Sequence, residues 1–269
     1  MIKKERLDKL LLERNMVDSR EKAQSIIMAN RVWVDGQKVR KSGSRFKIDC
    51  EIILEDNPNQ YVSRGGKKLE KALNFFNVNP KNKVAVDIGA STGGFTDCLL
   101  QHGAKKVYCI DVGYGQLDWK LRNDTRIVNI EKTNVRHLDT ARFSFYFDLA
   151  TIDVSFISIT KVLPIVHHIL KADGEIIGLL KPQFEAGRKN IKKGGIVDDP
   201  LIHKQVIMQL NQSVQDILKL VNLTFSPIKR SPGNIEYLAY FLNSPCEGML
   251  FETEKIETVI KEAHQFFAG

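Results

Sequence analysis

Apolar residues near the start of the chain recur at the three- and four-residue spacing of amphipathic helices. Two such groups predict two short helices, and the second is expected to begin at a capping residue, Asp18 or Ser19. Because only one stripe of each helix is apolar, both helices must bury that stripe in a shared core. The apolar positions are Leu7, Leu10 and Leu11 in the first helix and Ala23, Ile26 and Ile27 in the second.

Strand patterns follow the two helices. Residues 32–34 and 37–39 flank an Asp-Gly pair, and Asp-Gly between two β-rich triplets is a strong signal for a two-residue hairpin turn. Residues 52–54, Ile-Ile-Leu, predict a third strand. A short helical pair followed by three short strands indicates a small α+β unit.

A polar stretch at residues 55–60 separates this unit from a longer region with a different pattern. We therefore predict a small α+β domain over residues 1–60 and a second domain over residues 61–269. In the second domain, β-rich runs alternate with helical repeats, which favours an α/β, Rossmann-like fold with a mostly parallel, seven-stranded sheet and helices on both faces. The predicted strands are 84–88, 107–110, 127–130, 147–152, 175–180, 223–228 and 237–242. The predicted helices are 66–76, 94–102, 158–171, 201–219 and 253–267.

The distribution of charge suggests a partner for the first domain. The chain carries 40 Lys and Arg against 32 Asp and Glu, a net charge of +8. Residues 1–83 hold nineteen of the basic and eleven of the acidic side chains, whereas residues 84–269 are balanced. The excess therefore belongs to the first third of the chain, where it predicts a surface that binds a polyanion, with nucleic acid as the leading candidate.

Cysteine usage and hydropathy favour a particular compartment. The four cysteines include no Cys-x-x-Cys pair, which is typical of structural thiols in a reducing environment. The opening MIKKERLDKLL has charges where a signal peptide needs an apolar core, and no apolar run approaches the roughly 18 residues of a membrane-spanning helix. We therefore expect a cytoplasmic protein that binds neither a metal ion nor a membrane.

A glycine-rich turn follows the first predicted strand of the second domain. The run from Asp87 to Phe95 lacks the Lys-Ser/Thr ending of a phosphate loop, and Ser91 stands where a dinucleotide fingerprint has a glycine. Asp111 ends the next strand, where an acid accepts hydrogen bonds from ribose hydroxyls. A ligand with a ribose and no pyrophosphate fits this pattern best, and S-adenosylmethionine is the common one.

Five separated motifs carry a resemblance to a known family. They are Ser63-Arg-Gly-Gly-Lys-Lys68, Asp87-Ile-Gly-Ala-Ser-Thr-Gly-Gly-Phe95, Asp153-Val-Ser-Phe-Ile157, Leu180-Lys-Pro-Gln-Phe184 and Ser231-Pro-Gly-Asn-Ile-Glu236. Together they resemble the TlyA family of bacterial ribosomal-RNA 2′-O-methyltransferases, also called haemolysins, whose catalytic domain is similar to FtsJ and whose N-terminal unit resembles the S-four RNA-binding module. The resemblance spans essentially the whole chain. It implies S-adenosylmethionine-dependent methylation of cytidine ribose in ribosomal RNA, with ribosomal subunits as partners.

The resemblance also implies a catalytic set, which is Lys68, Asp153, Lys181 and Glu236. Independently, Asp153 and Lys181 each follow a predicted strand, at the edge where open parallel sheets bind ligands. Because a ribose hydroxyl is a weak acid, we expect Lys181 to act as general base with Asp153 as its orienting partner. Lys68 is expected to disfavour the charged form of Lys181 and to hold RNA phosphate. Glu236 is expected to position Lys181 and the ribose. The two carboxylates favour the charged amine and so act against Lys68, and the sequence leaves open which effect dominates.

Two further groups of residues are expected to bind ligands. The cofactor residues are Asp87, Gly89, Ser91, Gly93, Gly94 and Phe95 on the methionine side, Asp111 at the ribose and Asn134 near the adenine edge. The residues expected to bind RNA are Arg6, Arg20, Arg31, Lys38, Lys41, Arg64, Lys67, Arg188, Lys189, Lys192 and Lys193.

Two other functions remain open at this point. A non-catalytic RNA-binding or ribosome-assembly factor on a methyltransferase fold would bind RNA without needing Asp111 or Lys181. A membrane-lytic haemolysin would need an exposed apolar or amphipathic segment, and the helix predicted at 253–267 instead has the pattern of a helix packed on a sheet. The sequence fixes neither the cytidine that is modified nor the oligomeric state.

Overall fold

The computed structural model describes residues 4–17, 19–54, 60–229, 233–246 and 250–268. Its contacts divide the chain into two units, Met1–Gln60 and Tyr61–Gly269. The candidate cap Asp18, most of the polar stretch at 55–60 and the first two residues of the fifth motif lie outside the described residues.

The first unit is a helical pair with two small sheets. The predicted hairpin and third strand are confirmed, because β2 lies between β3 and β5 and runs antiparallel to both. Ser19 caps α2 by accepting the Lys22 N–H at 3.1 Å. A ribbon of β1 and β4 was not predicted, since its polar triplets show no apolar alternation. The elements are β1 Lys4–Arg6, α1 Leu7–Glu13, α2 Arg20–Met28, β2 Val32–Val34, β3 Gln37–Val39, β4 Arg45–Lys47 and β5 Ile52–Leu54.

The second unit is an α/β domain around one large sheet. Its elements are α3 Gly65–Phe76, β6 Val84–Ile88, α4 Gly94–Gln101, β7 Lys106–Ile110, α5 Trp119–Arg122, β8 Ile127–Ile130, β9 Phe147–Ile152, α6 Leu163–Ile169, β10 Leu170–Leu180, α7 Pro182–Glu185, α8 Pro200–Val214, β11 Lys219–Phe225, β12 Tyr237–Leu242 and α9 Thr253–Ala268. Within the described residues the sheet has seven strands in the order β11-β12-β10-β9-β6-β7-β8. Among the strands of the described residues, β12 alone runs opposite to the other six, so the predicted mostly parallel sheet is confirmed.

Three predicted boundaries in the second half of the chain were wrong. The helix predicted at 158–171 is a 3₁₀ turn followed by α6, whose first turn holds Pro164, and the chain becomes extended at Leu170. The helix predicted at 201–219 ends at Val214, and after a short turn the strand β11 begins at Lys219, where exposed and buried residues first alternate. The strand predicted at 223–228 is β11, which begins earlier, at Lys219, and ends at Phe225, before Ser226-Pro227.

Helices cover both faces of the sheet and bury two apolar clusters. α3 and α4 pack on one face, while α6, α8 and α9 pack on the other. α9 contributes Ile256, Ile260 and Ala263 to this core, as its one-sided pattern predicts. No helix in the described ranges is both long and apolar enough to cross a bilayer.

Because the five strands β6 to β10 run parallel, their carboxyl ends meet at one edge of the sheet. This is the edge at which open parallel sheets bind ligands.

Candidate active site

Two adjoining cavities occupy the carboxyl edge of the sheet. The first has a volume of about 320 Å³ and is lined by the glycine loop after β6 and by all four residues of the catalytic set. The second, about 310 Å³, is lined by the ends of β6 and β7 and by the segments that follow β8 and β9. Gly89, Ser91, Asp153 and Ser155 line both cavities, so the two form one continuous site.

The glycine loop needs glycine at two points for different reasons. Gly89 has a φ of +82°, and a Cβ there would lie 2.6 Å from the Asp153 carbonyl oxygen, so this glycine lets the loop pass close to the end of β9. A Cβ on Gly94 would lie 3.0 Å from the Gly66 nitrogen and 3.2 Å from the Gly65 Cα. The start of α4 thus packs directly on the start of α3, which carries Lys68.

Asp111 is fixed in position by backbone donors. Its Oδ2 accepts the Ser91 N–H at 2.8 Å and its Oδ1 accepts the Gly113 N–H at 2.7 Å. Each carboxylate oxygen keeps a second acceptor direction, and Asp111 lines the second cavity, so the geometry suits two ribose hydroxyls. Asn134 lines the same cavity while its Oδ1 accepts the Arg136 N–H at 3.1 Å, so it also caps its own turn.

Two of the predicted cofactor residues support the loop without lining either cavity. Asp87 is completely buried, where it accepts hydrogen bonds from Thr96 Oγ1 at 2.7 Å and Thr151 Oγ1 at 2.8 Å. Burial raises the pKa of Asp87 to about 6, because the charged form loses its hydration. Gly93 faces the side chains of Leu117 and Leu121. The other predicted cofactor residues line the cavities: Gly89, Ser91, Gly94, Phe95, Asp111 and Asn134.

The catalytic set forms two ion pairs. Lys181 is 4% exposed and pairs with Asp153, while its Nζ also donates to the Val154 carbonyl at 2.8 Å and to Ser155 Oγ at 3.2 Å. Lys68 pairs with Glu236, which is completely buried. Each lysine is therefore bound to one carboxylate. Asp153 is the partner that the sequence predicted for Lys181, whereas Glu236, which was expected to position Lys181, pairs with Lys68.

Four different elements place these side chains at one edge. Asp153 and Lys181 follow the parallel strands β9 and β10, as predicted. Glu236 immediately precedes β12, and because β12 is antiparallel its start lies at the same edge as the ends of β9 and β10. Lys68 lies in the first turn of α3, which the Gly94 contact holds beside the loop.

Sequence reasoning did not single out Phe156. Its side chain is 88% exposed and its backbone has a φ of +64°, a left-handed conformation that an aromatic residue rarely adopts. The ring lies 5.2 Å from that of Phe184 and borders both the second cavity and a third one of about 440 Å³. An exposed ring on strained backbone beside a site suggests a functional role, and only its place in the Asp153 motif could have signalled it.

The predicted RNA-binding residues of the first unit differ in their surroundings. Arg6 and Arg20 both pair with Asp8, whose buried carboxylate also accepts from Gln24, and these donors hold the pKa of Asp8 well below its usual range. Lys38 lies over the Trp33 ring, with Nζ 5.0 Å from its centroid. Arg31 is half-buried and Lys41 is exposed.

The predicted RNA-binding residues of the second unit lie in two places. Arg64 lines the first cavity, and Lys67 is half-buried in the first turn of α3. Arg188 lines the third cavity together with Arg136 and Lys161. The remaining residues, Lys189, Lys192 and Lys193, are exposed, and Lys192 pairs with Asp198 at 2.7 Å.

Comparisons with known proteins agree with this architecture. Residues 61–242 match the model of the FtsJ-like methyltransferase family, and residues 5–52 match that of the S4 domain. Hemolysin A of Brachyspira hyodysenteriae is 47% identical over 242 residues, which are 88% of this chain and 99% of that protein. The 16S/23S rRNA (cytidine-2'-O)-methyltransferase TlyA of Mycobacterium tuberculosis is 37% identical over 242 residues, which are 89% of this chain and 90% of that protein.

A solved structure extends the similarity to the fold. A candidate hemolysin from Streptococcus thermophilus is 40% identical, with a TM-score of 0.75 over 100% of this chain and 98% of that one. The second unit is therefore an FtsJ-like methyltransferase domain and the first an S4 domain. The chain belongs to the TlyA family. The family and fold class inferred from the sequence are confirmed.

Proposed function

We propose that this protein transfers the methyl group of S-adenosylmethionine to the 2′-hydroxyl of a cytidine in ribosomal RNA, acting on ribosomal subunits in the cytoplasm. The observation that carries the proposal is the meeting of the whole catalytic set in one cavity that adjoins the glycine loop. The activity for which the Mycobacterium tuberculosis relative is named supports cytidine in ribosomal RNA as the acceptor.

The chemistry of the second cavity fits S-adenosylmethionine. Asp111 would accept hydrogen bonds from the two ribose hydroxyls, Asn134 would face the adenine edge, and the loop from Gly89 to Phe95 would contact the methionine portion. The two cavities have volumes near 300 Å³ each, which suits one small cofactor and one nucleoside side by side. When bound, the cofactor supplies a methyl group made electrophilic by its sulfonium.

Lys181 is the general base of the proposed reaction. As an ammonium its Nζ donates three hydrogen bonds, and three acceptors surround it: the Asp153 carboxylate, the Val154 carbonyl and Ser155 Oγ. As a neutral amine it donates only two, so one direction becomes a lone pair that accepts the proton of the ribose hydroxyl. Asp153 and Val154 keep the nitrogen in place in both states. With its proton held by Lys181, the ribose oxygen would be able to bond to the methyl carbon that the cofactor supplies, and the sulfur would keep the electrons of the carbon–sulfur bond.

Lys68 and Glu236 orient the acceptor. Glu236 is completely buried and its charge is compensated by Lys68, so the pair keeps a fixed place in the wall of the first cavity. The Lys68 side chain is 13% exposed and lines the cavity, so it can still donate to a phosphate or ribose oxygen. Fixed donors and acceptors around the ribose bring the hydroxyl into line with the methyl carbon, which accounts for much of the catalysis in two-substrate reactions.

The decisive experiment compares wild type with Lys181→Ala on ribosomal subunits and labelled S-adenosylmethionine, followed by mass mapping of methylated ribonucleotides. The wild type should yield 2′-O-methylcytidine, and the variant should lose transfer by about 10²–10⁴-fold while its cofactor dissociation constant stays within a few-fold. Lys171→Ala is a matched control, because Lys171 also pairs with an aspartate, Asp148, but at the opposite edge of the sheet. Transfer should be unchanged in that control.

Two results would reject the proposal. Full activity in Lys181→Ala would remove the base, and the absence of any methylated ribonucleotide with wild type would favour the RNA-binding factor without catalysis. In the second case RNA binding would persist, and Asp111→Ala would not affect it.

A further inference from the structure

A loop of the methyltransferase domain contacts the segment that carries Glu236. This basic loop, residues 187–197, contains Arg188, Lys189, Lys192 and Lys193. It closes on itself through two hydrogen bonds, from the Lys192 N–H to the Ile196 carbonyl at 2.8 Å and from the Gly195 N–H to the Lys192 carbonyl at 3.0 Å. The loop is therefore a defined turn whose cations project from a compact backbone.

Asn234 joins this loop to the catalytic segment. Its Oδ1 accepts the Val197 N–H at 2.8 Å, and its Nδ2 donates to the Gly195 carbonyl at 2.8 Å. Asn234 is 2% exposed, so water does not replace these bonds if they are lost. A carboxamide supplies the donor and the acceptor on two separate atoms, whereas a hydroxyl offers both only at one oxygen. Glu236 follows two residues later, so the loop and the catalytic carboxylate are joined over a very short length of chain.

His203 makes a second connection between the same two segments. Its Nε2 lies 2.9 Å from the Val197 carbonyl and its Nδ1 lies 2.7 Å from the hydroxyl of Tyr237, the residue after Glu236. His264 Nε2 lies 3.2 Å from the same Nδ1. His203 is completely buried in the first turns of α8, and burial lowers its pKa to about 4, so the neutral ring donates from Nε2 to the carbonyl and accepts at Nδ1.

We propose that Asn234 and His203 are positioning residues that hold the basic loop in register with Glu236, so that RNA bound by the loop presents its ribose to the Lys181 cavity. The inference rests on the proposed function and adds a coupling between RNA contact and catalysis. Arg188 borders the third cavity beside Phe156, and Asn234 holds the other end of the loop beside Glu236. One end of the loop therefore lies at the third cavity, and the other end is bonded to the segment that carries Glu236.

The coupling is measured with a double-mutant cycle on the methylation rate. One variant is Asn234→Ala, the second replaces all four cations of the loop, Arg188, Lys189, Lys192 and Lys193, with alanine, and the third combines them. Asn234→Ala should reduce kcat by about tenfold or more, since misplacement of a substrate by 1 Å has effects of up to about 10²-fold, while cofactor affinity stays within twofold. The loop variant should raise the KM for subunits. In the combined variant Asn234→Ala should lower kcat/KM by less than about twofold further, because the loop it positions no longer holds RNA.

A matched control separates positioning from general stability. Asn243 is also a buried asparagine of this domain, and its Nδ2 donates to the Lys171 carbonyl at 2.7 Å, but it follows β12 at the opposite edge of the sheet. Asn243→Ala should lower the melting temperature and leave kcat of the folded protein unchanged. If Asn234→Ala does not fold, Tyr237→Phe replaces it in the cycle, because it removes only the hydroxyl that contacts His203.

The outcomes distinguish the two levels of inference. If wild type transfers methyl groups and the two single effects multiply in the combined variant, or if kcat is unchanged, the positioning role is wrong and the proposed function stands. If wild type transfers no methyl group to ribosomal RNA, the proposed function itself fails. A reduced kcat with non-multiplicative effects supports the coupling.

Discussion

Asp87 offers a quantitative test of the electrostatics beneath the glycine loop. In the folded protein its pKa rises from the ordinary value of 3.8 to about 6, because burial outweighs the hydrogen bonds from Thr96 and Thr151. Between these two values the folded state holds a proton that the unfolded chain has released. The free energy of unfolding therefore falls as the pH rises from about 4 to about 6, and this group has no further effect above that interval. A shift of this size corresponds to about 3 kcal/mol.

Asp87→Asn removes the ionisation and keeps a side chain of the same shape. Urea unfolding of wild type and variant, measured at intervals from about pH 4 to about pH 7, should show a stability difference that changes by roughly 3 kcal/mol in favour of the variant as the pH rises. The exposed carboxylate of Asp139, which caps a turn outside both cavities, serves as the control, and Asp139→Asn should show no comparable change. Parallel pH curves for wild type and Asp87→Asn would refute the buried, proton-holding carboxylate.

Three further outcomes are expected. Asp111→Ala should weaken cofactor binding by roughly 1.5–3 kcal/mol in calorimetry, since a charged hydrogen-bond acceptor is lost, and an unchanged dissociation constant would remove Asp111 from the site. Gly66→Ala should lower the free energy of unfolding by about 1–3 kcal/mol in urea titrations, because its Cβ would lie 2.2 Å from the buried Tyr61 ring. RNA affinity should fall with salt, with a logarithmic slope of roughly 0.7–0.9 per phosphate contact, and Lys193→Ala should reduce that slope by about one contact; a salt-independent affinity would contradict this expectation.

Periodicity predicted the sheet well because its strands are buried on both faces and read as continuous apolar runs. The five parallel strands β6 to β10 were placed within a few residues at their carboxyl ends, and these ends fix the site. The errors lie where one pattern passes directly into another, as at Leu170, where helix α6 meets β10 without a turn. The ribbon of β1 and β4 was not predicted, because three-residue polar strands show no alternation of apolar and polar residues.

The candidate site was predictable in its residue types and less so in its pairing. Strand ends and the family resemblance placed Asp153 and Lys181 at the ligand edge, and the structure brings the other two members of the set to them. The pairing of Lys181 with Asp153 was predicted, but that of Lys68 with Glu236 depends on the packing of α3 on α4, which no local pattern encodes. Asn234 and His203 were missed for the same reason, since Asn234 bonds to Val197 and His203 contacts Tyr237, each more than 30 residues away along the chain.

Because β12 runs in the reverse direction, chain inserted before it and chain inserted after it are expected to have different effects on the site. Chain inserted between Phe225 and Tyr237 would displace Glu236 from the ligand edge, whereas chain inserted beyond the last residues of β12 would emerge on the far side of the sheet. A fluorescent reporter or affinity tag fused on that far side should leave methyl transfer intact. An insertion after β12 should therefore be tolerated, whereas an insertion in the turn before β12 should not.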